Sequence, residues 1–259
     1  MKTMSGLAAV WRKELIIYFS TPIFFFIGFF FLLLGGFFFY LNTAMYHQAS
    51  FQAAMNPALA AQLSSMGLVF RPLFGNLAVV FLLLVPMMTM RLLAEEKRSG
   101  TAELLFTYPL SDAAVILGKF LAAWLVYLVL LGCTLVYVAA FLYLAPPDPA
   151  PLAAGYLGMA LFGGACLSLG LFVSSLTENQ IIAVVGTFAL LLLFWIMGWY
   201  QEVGGALAGK VLQHLSLIEH LENFTRGVID TRDFIYFVSF MFFFLFLTKR
   251  QLESRRWRA

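Results

Sequence analysis

Long runs without charge dominate this chain. No Asp, Glu, Lys or Arg occurs from Leu15 to Phe70, and within that stretch residues 22–41 are almost wholly Phe, Leu, Ile and Gly. A helix needs about 20 such residues to cross the ~30 Å hydrocarbon core of a bilayer. Similar runs follow at 73–90, 120–144, 152–173 and 181–199, and a shorter one at 234–247. The pattern predicts an all-α polytopic membrane protein with six transmembrane helices. The sixth must stand with little tilt, with Asp233 and Lys249 snorkelling at its ends. The first run is too long for a typical cleaved signal and no clear small-x-small site follows it, so it is expected to stay as a signal anchor.

The segments between these runs have their own character. Residues 5–20 set Leu7, Val10, Trp11, Leu15 and Tyr18 against Arg12, Lys13 and Glu14, which predicts a helix lying in the membrane interface. Residues 42–71 are apolar yet rich in Gln, Ser and Ala, and are expected to form a short helix packed on the membrane. Residues 201–233 mix Glu202, Glu219, Glu222, Asp230 and Asp233 with Leu and Val at helical spacing, which predicts amphipathic helix. Pro146, Pro147, Pro149 and Pro151 mark a tight turn.

Composition agrees and narrows the class. Of 259 residues, 62% are hydrophobic and only 11% charged, with 29 Phe and a mean hydropathy of +0.91. Soluble domains are roughly half apolar and about a quarter charged. A water-soluble fold cannot hide so much apolar surface, and disordered chains are polar and charged. Cys133 and Cys166 lie inside apolar runs and read as packing residues rather than a disulfide framework. A separate soluble domain is not expected, so residues 1–259 form a single transmembrane domain.

The net charge of +3 matters less than where the charges fall. With six spans, one side holds Lys2, Arg12, Lys13, Arg91, Lys97, Arg98, Lys119, Lys249, Arg250, Arg255, Arg256 and Arg258. The other holds only Arg71, Lys210, Arg226 and Arg232. The positive-inside rule then places both termini in the cytoplasm.

Several activities lose ground on the same residues. The spans carry no charge near their middles, whereas proton-driven transporters and charged-ring channels keep such groups there. His47, His214 and His220 lie outside the spans without a Ser or Cys at catalytic spacing, and no glycine-serine-glycine elbow occurs. Gly118–Lys119 is followed by Phe120, so there is no P-loop. The chain is therefore expected to be non-catalytic. Gly155, Gly158, Gly163, Gly164 and Ser168 fit close helix packing; a flexible, substrate-lining helix is the alternative.

Charge concentrates in the loop after the second span, RLLAEEKRSGTAELLFTYPLSDAAVILGK, residues 91–119. Residues 94–98 continue the span as a charged helix, and Gly100 breaks it. Thr101 can cap a new short helix, which Tyr108 and Pro109 end. Ser111 and Asp112 open the next helix, with the Asp112 carboxylate at its positive end. Leu104, Leu105 and Phe106 are apolar residues rimmed by charge, as at a protein-docking surface. A solvated loop under positive-inside pressure is the plainer reading.

At these residues the chain resembles the membrane subunit of an ABC transporter of the ABC-2 class. WRKELIIYFSTP at 11–22 is similar to that class's interfacial helix and first-span start. EEKRSGTAELLFTYPLS at 95–111, with ILGKF at 116–120, resembles its cytoplasmic signature. SSLTENQIIA at 174–183 matches the turn between the fourth and fifth spans. HLENFTRGVIDTRDFIYFVSF at 220–240 and LESRRW at 252–257 resemble the gliding-motility-type branch.

The resemblance implies a permease subunit that pairs with a second copy or a related subunit in a bacterial cytoplasmic membrane. Each copy binds a separate cytoplasmic ABC ATPase, which holds the ATP and magnesium. Nucleic acid is not an expected partner. The ATPase contacts it implies are Trp11, Arg12, Lys13 and Glu14 on the interfacial helix. In the loop they are Glu95, Glu96, Lys97, Arg98, Gly100, Thr101, Glu103, Leu104, Leu105, Phe106, Tyr108 and Pro109. The coupling helix would run about 101–108. Glu178, at the second turn on the same side, is either a coupling contact or a solvated carboxylate. The expected function is an ATP-driven exporter. The alternative is an ATPase-coupled membrane anchor doing mechanical or assembly work, of the gliding-motility or surface-protein-secretion type, without moving a solute.

Overall fold

A computed structural model describes residues 2–55, 64–100, 111–198 and 214–256. Ten α-helices follow one another among them: α1 (Lys2–Ser20), α2 (Pro22–Met55), α3 (Arg71–Thr89), α4 (Ala94–Arg98), α5 (Asp112–Cys133), α6 (Leu135–Phe141), α7 (Pro149–Leu176), α8 (Gln180–Ile196), α9 (Leu217–Thr225) and α10 (Thr231–Arg256). A π-helical turn, Met66–Phe70, leads into α3. No strand occurs among the described residues.

Five helical stretches are long and apolar enough to cross a membrane: Pro22–Met55, Met66–Arg98, Asp112–Phe141, Pro149–Leu176 and Thr231–Ser254. Helix α8 is apolar but shorter, with 17 residues. The expectation of a short last span is therefore corrected. Helix α10 has 26 residues, because its charged C-terminal end continues the helix through Lys249–Glu253 and Arg250–Glu253 ion pairs one turn apart.

The expected break after the first span is corrected as well. No separate short helix begins at residue 42; α2 runs on to Met55. Neither Gly nor Pro interrupts 37–56, and the Ala, Met and Gln there favour helix. Asn42 Nδ2 donates to the Val69 carbonyl at 3.3 Å, tying this extension to the π-turn.

The core is built around α7, which touches α3, α5, α8, α9 and α10. Its glycines are what permit this. A Cβ on Gly163 would sit 1.9 Å from the Tyr127 ring, and one on Gly158 would sit 2.3 Å from Phe224. These positions read as close packing, as the small-residue pattern predicts. Polar atoms at the same seam are satisfied by backbone: Tyr127 Oη donates to the Met159 carbonyl at 2.8 Å, and Trp124 Nε1 to that of Ala160 at 2.9 Å. In an apolar surrounding an unmet donor costs free energy, so each aromatic is fixed in orientation as well as position.

The helices bring like residues to like ends. The α1 segment, the end of α3, α4, the start of α5, the α7–α8 turn and the end of α10 gather at one end, with Arg12, Lys13, Arg91, Lys97, Arg98, Lys119, Lys249 and Arg250. The starts of α3, α7 and α10 lie at the other end with α9.

Candidate functional site

The basic end holds a buried ion cluster. Lys119 sits two turns into α5 with its side chain 2% exposed. Its Nζ lies 2.7 Å from Glu14 Oε1 on α1 and 2.8 Å from Glu96 Oε1 on α4. Lys13 Nζ reaches the same Glu96 oxygen at 3.2 Å from the solvent side. Two carboxylates and two ammonium groups thus balance. A buried lysine is tolerated only when paired and hydrogen-bonded, and here the pairing joins residues far apart in sequence.

Helix α4 is fastened on its other side too. Ser174, fully buried near the end of α7, accepts from the Leu93 and Ala94 amides at 3.2 and 3.1 Å. Those amides are the unpaired donors of the α4 N-terminus. Lys97 Nζ donates to the Ser175 carbonyl. Gly100, at φ +68°, turns the chain off the end of α4. Ser111 caps α5, accepting from the Ala114 amide at 3.3 Å. The helix-break-helix reading of this loop therefore holds at both described edges.

Helix α1 is anchored by Tyr18, whose hydroxyl donates to the Met88 carbonyl at 2.8 Å. Burial, helped by the nearby Glu14 charge, pushes that phenol up. It stays neutral and serves as a donor.

The residues anticipated as ATPase contacts divide by direction. Trp11, Arg12, Lys13, Arg98 and Gly100 are exposed, and Glu95, Glu96 and Lys97 are half-buried. Glu14 is buried and turned toward Lys119. Thr101, Glu103, Leu104, Leu105, Phe106, Tyr108 and Pro109 lie outside the described residues. Glu178 is exposed in the short α7–α8 turn, where Asn179 caps α8 by accepting from the Ile181 amide at 2.9 Å.

A second polar cluster lies at the opposite end. His220 Nδ1 is 2.6 Å from Asp233 Oδ1, and Asn223 Nδ2 donates to Asp233 Oδ2 at 2.8 Å. Tyr236 stacks on the His220 ring with centroids 3.8 Å apart. Asp233 is thus a buried acceptor, not a snorkelling end group. Beside it, Glu222 Oε1 takes Arg71 at 2.5 Å and Arg226 at 2.8 Å. Partial burial alone would raise the Glu222 carboxyl. The two guanidinium groups outweigh it and hold the carboxyl below its ordinary range. Among the described residues, no three of His, Cys, Asp and Glu stand close enough to hold a metal ion.

Sequence reasoning missed the Lys119 cluster and the Ser174 bolt. One signal was present: Lys119 stands between Gly118 and Phe120 within an apolar run, with no polar residue from Ile116 to Trp124 beside it to share solvent.

Residues 49–202 match the family model described as ABC-2 family transporter protein. The chain belongs to this family. None of the curated proteins matches it. The match takes in the loop from Arg91 to Lys119 and the helices on both sides. This ABC-2 protein is therefore the multi-pass membrane component of an ABC system. Membership implies association with a cytoplasmic ABC ATPase.

Proposed function

We propose that this chain is the permease subunit of an ATP-driven exporter, worked by a separate ATPase through the loop after the second span. Six helices cross the membrane, α8 included, with both termini cytoplasmic and two such subunits forming the pathway. The observation that carries the reading is the Lys119 cluster. It joins α1, α4 and α5, so a push on the 101–110 loop reaches the interfacial helix and two spans together. A motor elsewhere can shift the spans only through contacts that differ between its states, and this base is built to transmit such contacts. The segregation of Lys and Arg to that end supports its placement in the cytoplasm. The resemblance of residues 220–240 and 252–257 to the gliding-motility-type branch supports the alternative, an ATPase-coupled anchor that moves no solute.

The test is co-purification with a cytoplasmic ABC ATPase co-expressed from the same source. Leu104→Asp and Arg98→Glu each remove an apolar or charged contact without touching the Lys119 cluster, and each is expected to abolish co-purification while membrane insertion persists. Undiminished co-purification in both variants defeats the assignment. Glu96→Arg is a poorer probe, since it would also place a second cation against Lys119. In proteoliposomes of the assembled complex, ATP hydrolysis with outward movement of a lipid-like or peptide-like cargo is expected.

A further inference from the structure

A cavity of about 200 Å³ opens beside the Lys119 cluster, between α1, the start of α2, the end of α3 and α4. Its walls are of two kinds. Ile17, Ile23, Phe24, Ile27, Met87 and Leu92 make an apolar side. Lys13, Arg91 and Lys119 face Glu14, Glu95 and Glu96 on the other. Three cations and three anions leave the lining neutral in sum but strongly polarised.

Two features point to an occupant. Arg91 is 37% exposed at the cavity wall, and its Nε lies 3.2 Å from Glu95 Oε2 in an ion pair. That pair is one helical turn apart and partly exposed, so it is weak and readily exchanged. The cavity also lies at the α1–α2 elbow around Thr21, where an interfacial helix turns into the first apolar helix. It therefore sits where headgroups meet acyl chains.

We propose that this cavity binds the headgroup and upper acyl carbons of one zwitterionic phospholipid bearing a primary amine, of the phosphatidylethanolamine type. The phosphate takes the exposed guanidinium nitrogens of Arg91, together with Lys13, in charge-assisted bonds. The ammonium takes Glu95, and the first methylenes lie along Ile23, Phe24 and Ile27. An anionic lipid would leave Glu95 facing no cation. A choline headgroup cannot donate hydrogen bonds to it. The volume is below the 300–1,000 Å³ of pockets that swallow whole drug-sized ligands, as suits a headgroup whose tails remain in the bilayer. The site rests on the reading of α1 as an interfacial helix and shares Lys13, Glu95 and Glu96 with the anticipated ATPase contacts, but lipid retention is read on the chain without the ATPase, so the two readings can fail separately.

The experiment is native mass spectrometry of the full chain released from nanodiscs holding equal parts phosphatidylethanolamine, phosphatidylcholine and phosphatidylglycerol. Retention of the amine lipid roughly tenfold above the other two is expected. Arg91→Gln and Glu95→Gln should each cut that preference to about threefold or less, and Ile27→Trp, which fills the apolar side, should lower total retention. Equal retention of the three lipids by the unaltered chain overturns the proposal without any variant. So does a preference that survives both Arg91→Gln and Glu95→Gln.

Discussion

The two ends of this protein solve one problem differently. Each buries a carboxylate with a basic partner, but the partners are drawn from different distances. At the basic end, Glu14, Glu96 and Lys119 come from α1, α4 and α5, up to 105 residues apart. At the other, His220, Asn223 and Asp233 lie within 13 residues of one another, around a turn at Gly227 with φ +86°. The first cluster couples elements that could otherwise move separately. The second staples a local corner, where Gly227 also lies so near Pro151 that a Cβ would meet it at 2.6 Å. On the proposed function, the long-range cluster is the transmitter, where force would enter, and the short-range one is a fixture that keeps the shape of the bundle.

The sharpest way to break the contrast is Lys119→Met. It leaves Glu14 and Glu96 facing each other without their shared cation. Removing one partner of a buried pair costs about 3–5 kcal/mol. Thermal unfolding of the purified chain in detergent should show the largest loss of any single change here. The double variant Glu14→Gln with Lys119→Met should recover part of it, because fewer carboxylates are then stranded. A double-mutant cycle reads that recovery directly. Simple additivity would mean that Lys119 does not join the helices.

Asp233→Asn tests the opposite end. It removes the charge from the His220 contact and keeps the shape of the side chain. The expected cost is about 1–3 kcal/mol, the usual range for a buried hydrogen bond to a group left poorly matched. The loss should be confined to α9 and the start of α10, seen as faster amide exchange there with little change around α4. Exchange spreading to the basic end would erase the distinction between transmitter and fixture.

Much of this architecture was legible in the sequence, and the failures have physical reasons. Charge-free runs located the long helices, since apolar length is what a bilayer demands. The glycines of 155–164 signalled close contact, and Gly163 against Tyr127 shows how close. The helix start at Ser111 and Asp112 was readable because such signals are local. The length of α2 was misjudged, because helix propensity continues past the point where apolarity falls off. The end of α10 was misjudged for the same reason, with ion pairs one turn apart extending it. Asp233 looked like a boundary residue because its partners, His220 and Asn223, sit on another helix. Lys119 was counted among the cytoplasmic-side cations and Glu14 among the ATPase contacts, because nothing local in either segment shows that they meet.

The smallest effect concerns Glu222, and its sign can be worked out. Arg226 and Arg71 hold this carboxyl below its ordinary range despite partial burial. A carboxyl depressed in the folded state binds protons less readily there than in the unfolded chain. Its contribution is therefore present above the unfolded value and lost as pH falls through the folded one. Glu222 is 38% exposed, so solvent screening keeps that contribution below about 1 kcal/mol. The stability difference between the unaltered chain and Glu222→Gln should be small but positive near neutrality, and should close as pH falls below the ordinary carboxylate range. Added salt should shrink it at neutral pH as well, since exposed pairs are screened, whereas the Lys119 cluster should scarcely respond. A gap that salt leaves untouched would place Glu222 among the buried fixtures and not on the solvated rim of the corner.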